Sequence, residues 1–233
     1  MSTSIQSHIV TLLSKKEVAQ HVFELRFSKP EGFEYTAGQF VQFLIPNGEK
    51  ITPRSYSISS IPTDEYLEFC IKLHEGGLAS EYIRAMNVGS SLSCKGPLGR
   101  FVIDVNSHDH YFVATGVGIA PIMGMIRSLI EEKNTDLPVR LLFGVREEED
   151  VFWIDRLEEL KQKHSLFDYT ITLSQPKPTG GWQGLKGRVT DHILHHLGKH
   201  KFYLCGNAGM VKDVRALIIE HGVDAEDIHF EIF

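Results

Sequence analysis

The 233 residues carry 24 Lys and Arg against 30 Asp and Glu, a formal net charge of -6, with 42% hydrophobic and 23% charged residues. Those proportions exclude a disordered, collagenous or coiled-coil chain, and the acidic balance argues against nucleic acid, whose phosphates need a surplus of cations. No charged, apolar, small-residue leader opens the chain, and its most apolar stretch, 111–126, is broken by Gly116, Gly118, Pro121 and Gly124 and is too short for a bilayer, so a soluble, cytoplasmic protein without membrane insertion is expected.

Up to about Val105 the apolar residues alternate in short runs. Strands are predicted at 22–27, 40–45, 55–59 and 67–73, with turns at 29–32, 46–48, 61–64 and 96–99 and one helix over 80–86. Closely spaced strands with Pro and Gly turns suggest an antiparallel barrel, which removes exposed edges. After His108 the rhythm becomes strand and helix in alternation. Strands are predicted at 111–114, 139–145, 169–173, 201–205 and 228–232, with helices from the Gly-rich turn through Glu132, then over 151–163, 189–197 and 210–221. Apolar strands alternating with amphipathic helices predict a Rossmann-like parallel sheet covered on both faces. The boundary is placed near Ser107, giving a β-barrel domain over 1–106 and an α/β domain over 107–233.

Four segments carry chemistry. Thr115-Gly116-Val117-Gly118-Ile119-Ala120-Pro121 joins a strand to a helix, where glycines and free amides favour a phosphate, although Pro121 replaces the third glycine of the dinucleotide fingerprint. Arg54-Ser55-Tyr56-Ser57 sets a guanidinium beside an aromatic ring on one strand, a seat for a phosphate joined to a flat ring. Gly76-Gly77-Leu78-Ala79-Ser80 opens the short helix, with a hydroxyl cap and a second set of free amides. Cys205-Gly206-Asn207 ends a strand of the α/β half, where open sheets bind ligands. Each alone also reads as a tight turn, a polar edge strand, a plain N-cap or a buried cysteine.

Together and in this order, with the terminal Glu231-Ile232-Phe233, these segments resemble the ferredoxin–NADP reductase family over nearly the whole chain. The resemblance implies a six-stranded antiparallel barrel that binds FAD and a second domain that binds the nicotinamide nucleotide, in an NAD(P)H-dependent flavoprotein oxidoreductase. It further implies that Arg54 holds a flavin phosphate, Ser55 flanks it, Tyr56 stacks on the isoalloxazine and Ser57 reaches toward N5. Gly77, Leu78, Ala79 and Ser80 would serve the pyrophosphate. Thr115, Gly116, Gly118 and Pro121, with Gly206, would face the nicotinamide nucleotide. Cys205 and Glu231 would border the nicotinamide, with Ser57 as the third catalytic residue, and Phe233 would lie near the other flavin face, where plant relatives carry tyrosine. Members using NADPH place Arg after the Ser that ends the third strand of the second domain. Here Ser174 is followed by Gln175, a neutral amide, so NADH is favoured over NADPH, with Lys177 and Arg146, at the end of the preceding strand, as partial compensation for the missing Arg.

The three cysteines, Cys70, Cys94 and Cys205, are too few for an iron–sulfur cluster held by four thiolates within this chain. Electrons are therefore expected to pass to a separate acceptor: a ferredoxin, flavodoxin or oxygenase component, or else free flavin, quinone or a ferric complex. An acidic carrier would need a basic patch, for which Lys15, Lys16, Lys72, Lys95 and Arg100 are the candidates. His192, His195, His196 and His200 lack a metal-binding motif, and no metal is expected.

Overall fold

The computed structural model describes residues 6–104, 109–198 and 200–233. The proposed boundary at 106/107 lies outside them.

The first half builds a six-stranded antiparallel sheet from β1 (Ser7–Ala19), β2 (Val22–Ser28), β3 (Phe40–Asn47), β4 (Lys50–Ser57), β5 (Tyr66–Lys72) and β6 (Ser91–Leu98), ordered β4-β3-β6-β1-β2-β5. It curls so that its two ends meet at the Ile58–Phe69 bridge. Alternation makes the barrel: on β3 Val41, Phe43 and Ile45 are buried, while the residues between them are only half-buried. Phe27, Phe43 and Phe69 meet edge to face in its core. Helix α1 (Leu78–Ala85) leaves β5, and its last carbonyls, with that of Met86, are capped by Lys15 Nζ at 2.9, 2.8 and 3.2 Å. Lys15 is thus withdrawn from the expected basic patch. The turn expected at 96–99 is instead the end of β6, which runs through Leu98.

The second half is an all-parallel sheet, ordered β10-β9-β8-β7-β11-β12, from β7 (Asp109–Thr115), β8 (Val139–Val145), β9 (Phe167–Leu173), β10 (Leu185–Lys186), β11 (His200–Gly206) and β12 (Ile228–Ile232). Helix α2 (Ile119–Arg127) continues into a wider turn to Glu132. It is apolar nearly all round because it lies between this sheet and the barrel. Helix α3 (Ile154–Lys163) shares that face, and α4 (Ala208–Glu220) covers the other. The helix predicted over 189–197 is a correction: the chain makes two short 3-10 turns there. Asp191 caps the first of them by accepting from the Arg188 amide at 2.7 Å, and the His192 ring meets the Lys186 carbonyl at 2.9 Å. The core on the α2 and α3 face includes Val22, Cys70 and Phe101 of the first half, so apolar packing continues across the seam. Gly124 permits that closeness, because a Cβ there would lie 3.1 Å from the Ser60 carbonyl oxygen.

Candidate active site

Two clefts open beside each other at the seam. The first, about 570 Å³, runs along β4 and the start of α1 and is walled on the other side by Val117, Ala120, Ile232 and Phe233. It gathers Arg54, Ser55, Tyr56, Ser57, Gly77, Leu78, Ala79 and Ser80. β4 is mostly exposed, so Arg54 and Ser55 are free to reach a ligand in this cleft. Arg54 is exposed and spends one Nη1–H on the Pro53 carbonyl at 2.9 Å, leaving most of its fork for an anion. The Tyr56 ring rests 5.0 Å from Phe43 at a 46° tilt, and burial raises its phenol pKa. The opening amides of α1 have no intrahelical carbonyls.

One sequence expectation needs correcting in this loop. Ser80 does not cap α1; its Oγ accepts from the His74 amide at 2.9 Å and closes the 74–80 turn, while Gly77 occupies the N-cap. A Cβ at Gly77 would sit 3.1 Å from Ser80 Oγ and 3.4 Å from the His74 carbonyl oxygen, so glycine keeps the turn tight. Spare guanidinium donors, free helix amides, a half-buried ring and an apolar facing wall suit a flavin dinucleotide.

The second cleft, about 430 Å³, lies where β7, β8, β9 and β11 end. Thr115, Gly116, Arg146, Ser174 and Asn207 line it, and Lys72 and Val117 line both clefts. Gly118 and Gly206 work behind the surface. A Cβ on Gly118 would lie 2.6 Å from the Cys205 carbonyl carbon and 2.7 Å from Gly206 Cα. At Gly206 (φ +144°) a Cβ would meet the Thr115 carbonyl oxygen at 2.9 Å. Thr115 Oγ1 accepts from the Asn207 amide at 3.3 Å, and Asn207 Oδ1 caps α4 by accepting from Gly209 at 2.9 Å. Arg146 donates from Nη2 to Gln175 Oε1 at 3.1 Å.

At the seam Ser57 Oγ donates to Glu231 Oε2 at 3.2 Å, joining barrel to sheet. Burial raises the Glu231 pKa, and the Ser57 hydrogen bond only partly offsets it. Cys205 stands opposite Glu231 in the β11–β12 register and is fully buried, with its thiol pKa pushed well up by burial and then by Glu231. That thiol stays protonated, which suits packing and not nucleophilic attack. Glu231 with Ser57 forms a site that can hold or hand over a proton. Phe233 is exposed at the edge of the first cleft, and its amide donates to the Gly206 carbonyl at 3.2 Å.

Cys205, Gly118, Pro121, Gly206, Gln175 and Glu231 line neither cleft directly. Sequence reading missed Phe152, Arg188 and Asp213 in the second cleft and His74 in the first. None carries a local motif; each arrives through the packing of a separate element.

Residues 9–103 match the family model described as an oxidoreductase FAD-binding domain, and 112–216 the one described as an oxidoreductase NAD-binding domain. Ferredoxin–NADP reductase B of Sorangium cellulosum is 33% identical, with 94% of this chain and 95% of that protein covered. The phenol hydroxylase P5 protein of Acinetobacter pittii is 28% identical over 98% of this chain but only 66% of its own length. The propane 2-monooxygenase reductase component of a Gordonia species is 32% identical over 88% of this chain. The chain spans 61% of that relative. A ferredoxin NADP+ reductase from Neisseria gonorrhoeae, solved with bound FAD and NADP, shares the fold at a TM-score of 0.87 and 23% identity, covering 98% and 99% of the two chains.

Proposed function

This chain belongs to the ferredoxin–NADP reductase family of NAD(P)H-dependent flavoprotein reductases, and on that premise we propose that it takes a hydride from NADH and passes single electrons to a separate protein acceptor. The acceptor class is a ferredoxin, flavodoxin or oxygenase component. The observation that carries this reading is the pair of adjoining clefts, which share Lys72 and Val117, with Ser57 of the first cleft bonded to Glu231 across the seam. Bound FAD would supply a centre that accepts a hydride and releases electrons one at a time.

The chain's own residues then have positioning tasks. Arg54 and the α1 amides hold phosphates, Tyr56 offers a flat face, and Phe233 covers the opposite side of the cleft. Thr115 and Gly116 seat the nicotinamide nucleotide, with Cys205 and Gly118 shaping the floor beneath it. Ser57 and Glu231 orient and hold a proton at the border, and the apolar walls exclude water. NADH is preferred because Gln175, a neutral amide, follows Ser174 and already engages Arg146, so a 2′-phosphate there would have to compete for that guanidinium.

Anaerobic NADH should bleach the yellow protein. Turnover with a ferredoxin should fall as salt rises, because attraction between exposed charges is screened over about 8–10 Å near physiological ionic strength. Fast turnover of free flavin, quinone or a ferric chelate, with no response to any ferredoxin or flavodoxin, would establish the alternative reductase reading. A higher kcat/KM with NADPH would overturn the nucleotide assignment.

A further inference from the structure

Arg156 of α3 grips the barrel across the seam. Its Nη1 and Nη2 donate to Glu68 Oε1 and Oε2 at 2.7 and 2.9 Å, and Nη2 also lies 2.8 Å from Glu24 Oε2. Glu68 is 1% exposed and also accepts from Arg26 Nε at 3.0 Å and Ser59 Oγ at 3.1 Å. Trp153 Nε1 donates to Glu24 Oε2 at 3.0 Å, and the Arg156 guanidinium lies 4.8 Å from the Trp153 ring. Burying such charges incurs a desolvation cost that apolar packing avoids, so the network is a weak source of stability. A bidentate guanidinium–carboxylate pair does fix an angle.

Two further observations tie this network to the clefts. Trp153 sits at φ 63°, ψ 18°, a left-handed conformation that a bulky side chain holds only when its surroundings impose it. Its preceding residue, Phe152, walls the nucleotide cleft, while Cys70, Ile71 and Lys72, just beyond Glu68 on β5, wall the flavin cleft. The network therefore stands in chain continuity with one wall of each cleft.

We propose that Arg156, Glu68, Glu24 and Trp153 are positioning residues that set the angle between the nucleotide domain and the barrel, and hence the alignment needed for hydride transfer. This rests on the hydride-transfer reading above. A second bidentate pair, Arg127 to Asp64 at 2.7 and 3.1 Å, remains when the first is cut, so the halves stay together while the angle loosens. Transfer is sensitive to sub-ångström to ångström misplacement, whereas flavin affinity depends on barrel residues outside this network.

The test uses Arg156→Gln, Trp153→Phe and the double variant Glu68→Gln with Arg156→Gln. In flavin-loaded protein, Arg156→Gln should slow anaerobic flavin reduction at saturating NADH about tenfold or more, with flavin stoichiometry unchanged and NADH affinity within about twofold. Trp153→Phe should slow it severalfold. The double variant removes one charge of each sign, so it should recover melting temperature without recovering the rate. In flavin-free protein, calorimetry should show a lower melting temperature for Arg156→Gln than for the wild type, because Glu68 and Glu24 lose a buried partner. Wild-type rates in both single variants would overturn the proposal, as would recovery of rate together with melting temperature in the double variant. If NADH fails to reduce the wild-type flavin, the proposed function fails; the calorimetric arm then decides the fastening alone, and an unchanged melting temperature in Arg156→Gln overturns it.

Discussion

At the scale of single residues, two side chains at the clefts lead to measurable consequences. Arg54 has an exposed guanidinium with most donors free. Losing a charge-assisted phosphate contact costs about 1.5–3 kcal/mol, so Arg54→Ala should bind FAD roughly 10- to 100-fold more weakly. Fluorescence titration of flavin-free protein measures this, and unchanged affinity would remove Arg54 from the site. Glu231 has its carboxyl pKa raised above the ordinary 4.5 by burial. The folded state then holds the proton more tightly than the unfolded one, so the wild type loses stability as pH rises from 4.5 through the raised value. Glu231→Gln cannot ionise, and its melting temperature relative to wild type should climb over that rise. A pH-independent difference between the two proteins would count against the half-buried, protonatable carboxyl.

Elements decide which residues can meet. Gly118 lies where the start of α2 crosses the end of β11, with no room for a Cβ against the Cys205 and Gly206 backbones. Backbone atoms cannot rotate away as a side chain can, so Gly118→Ala must push α2 off the sheet. A loss of about 1–3 kcal/mol in chemical denaturation is expected, with weakened nucleotide binding. Wild-type stability in that variant would mean that the helix shifts freely. Lys15 makes a similar point on the barrel: its ammonium caps three carbonyls at the end of α1, and burial, followed by Arg84, lowers its pKa. Read from the chain alone it belonged to a docking patch; in the fold it holds the helix whose other end borders the flavin cleft.

On the scale of the whole molecule, the seam is both an apolar core and a set of buried ion pairs. Burial alone would raise the Glu68 and Asp64 carboxyls, but the bidentate bonds from Arg156 and Arg127 hold both below their ordinary values. Stability from these pairs is complete above the ordinary carboxylate range and is lost as pH falls through the depressed values. Trp153, buried at that seam and bonded to Glu24, should report the loss through its emission. Acid unfolding followed at Trp153 should begin lower in pH for wild type than loss of an ordinary carboxylate would give. Replacing Glu68 by Gln should flatten that acid dependence, and an unaltered acid transition would place the stabilising charges elsewhere.

The sequence by itself determined the two kinds of sheet, because inward and outward residues differ in chemistry with period two on barrel strands such as β3, while residues 111–114 of β7 and 141–145 of β8 run apolar without alternation. It also determined the two local glycine turns that open helices, since Gly76–Ser80 and Thr115–Pro121 are contiguous and their chemistry resides in adjacent amides. The tertiary structure alone decided what required two distant segments at once. Ser57 meets Glu231 across 174 positions, and Trp153 meets Glu24 across 129, distances over which no periodicity or motif records a contact. Composition and spacing act along the chain, whereas the angle between the two clefts is set by packing and buried charge at a surface that exists only after both halves have folded.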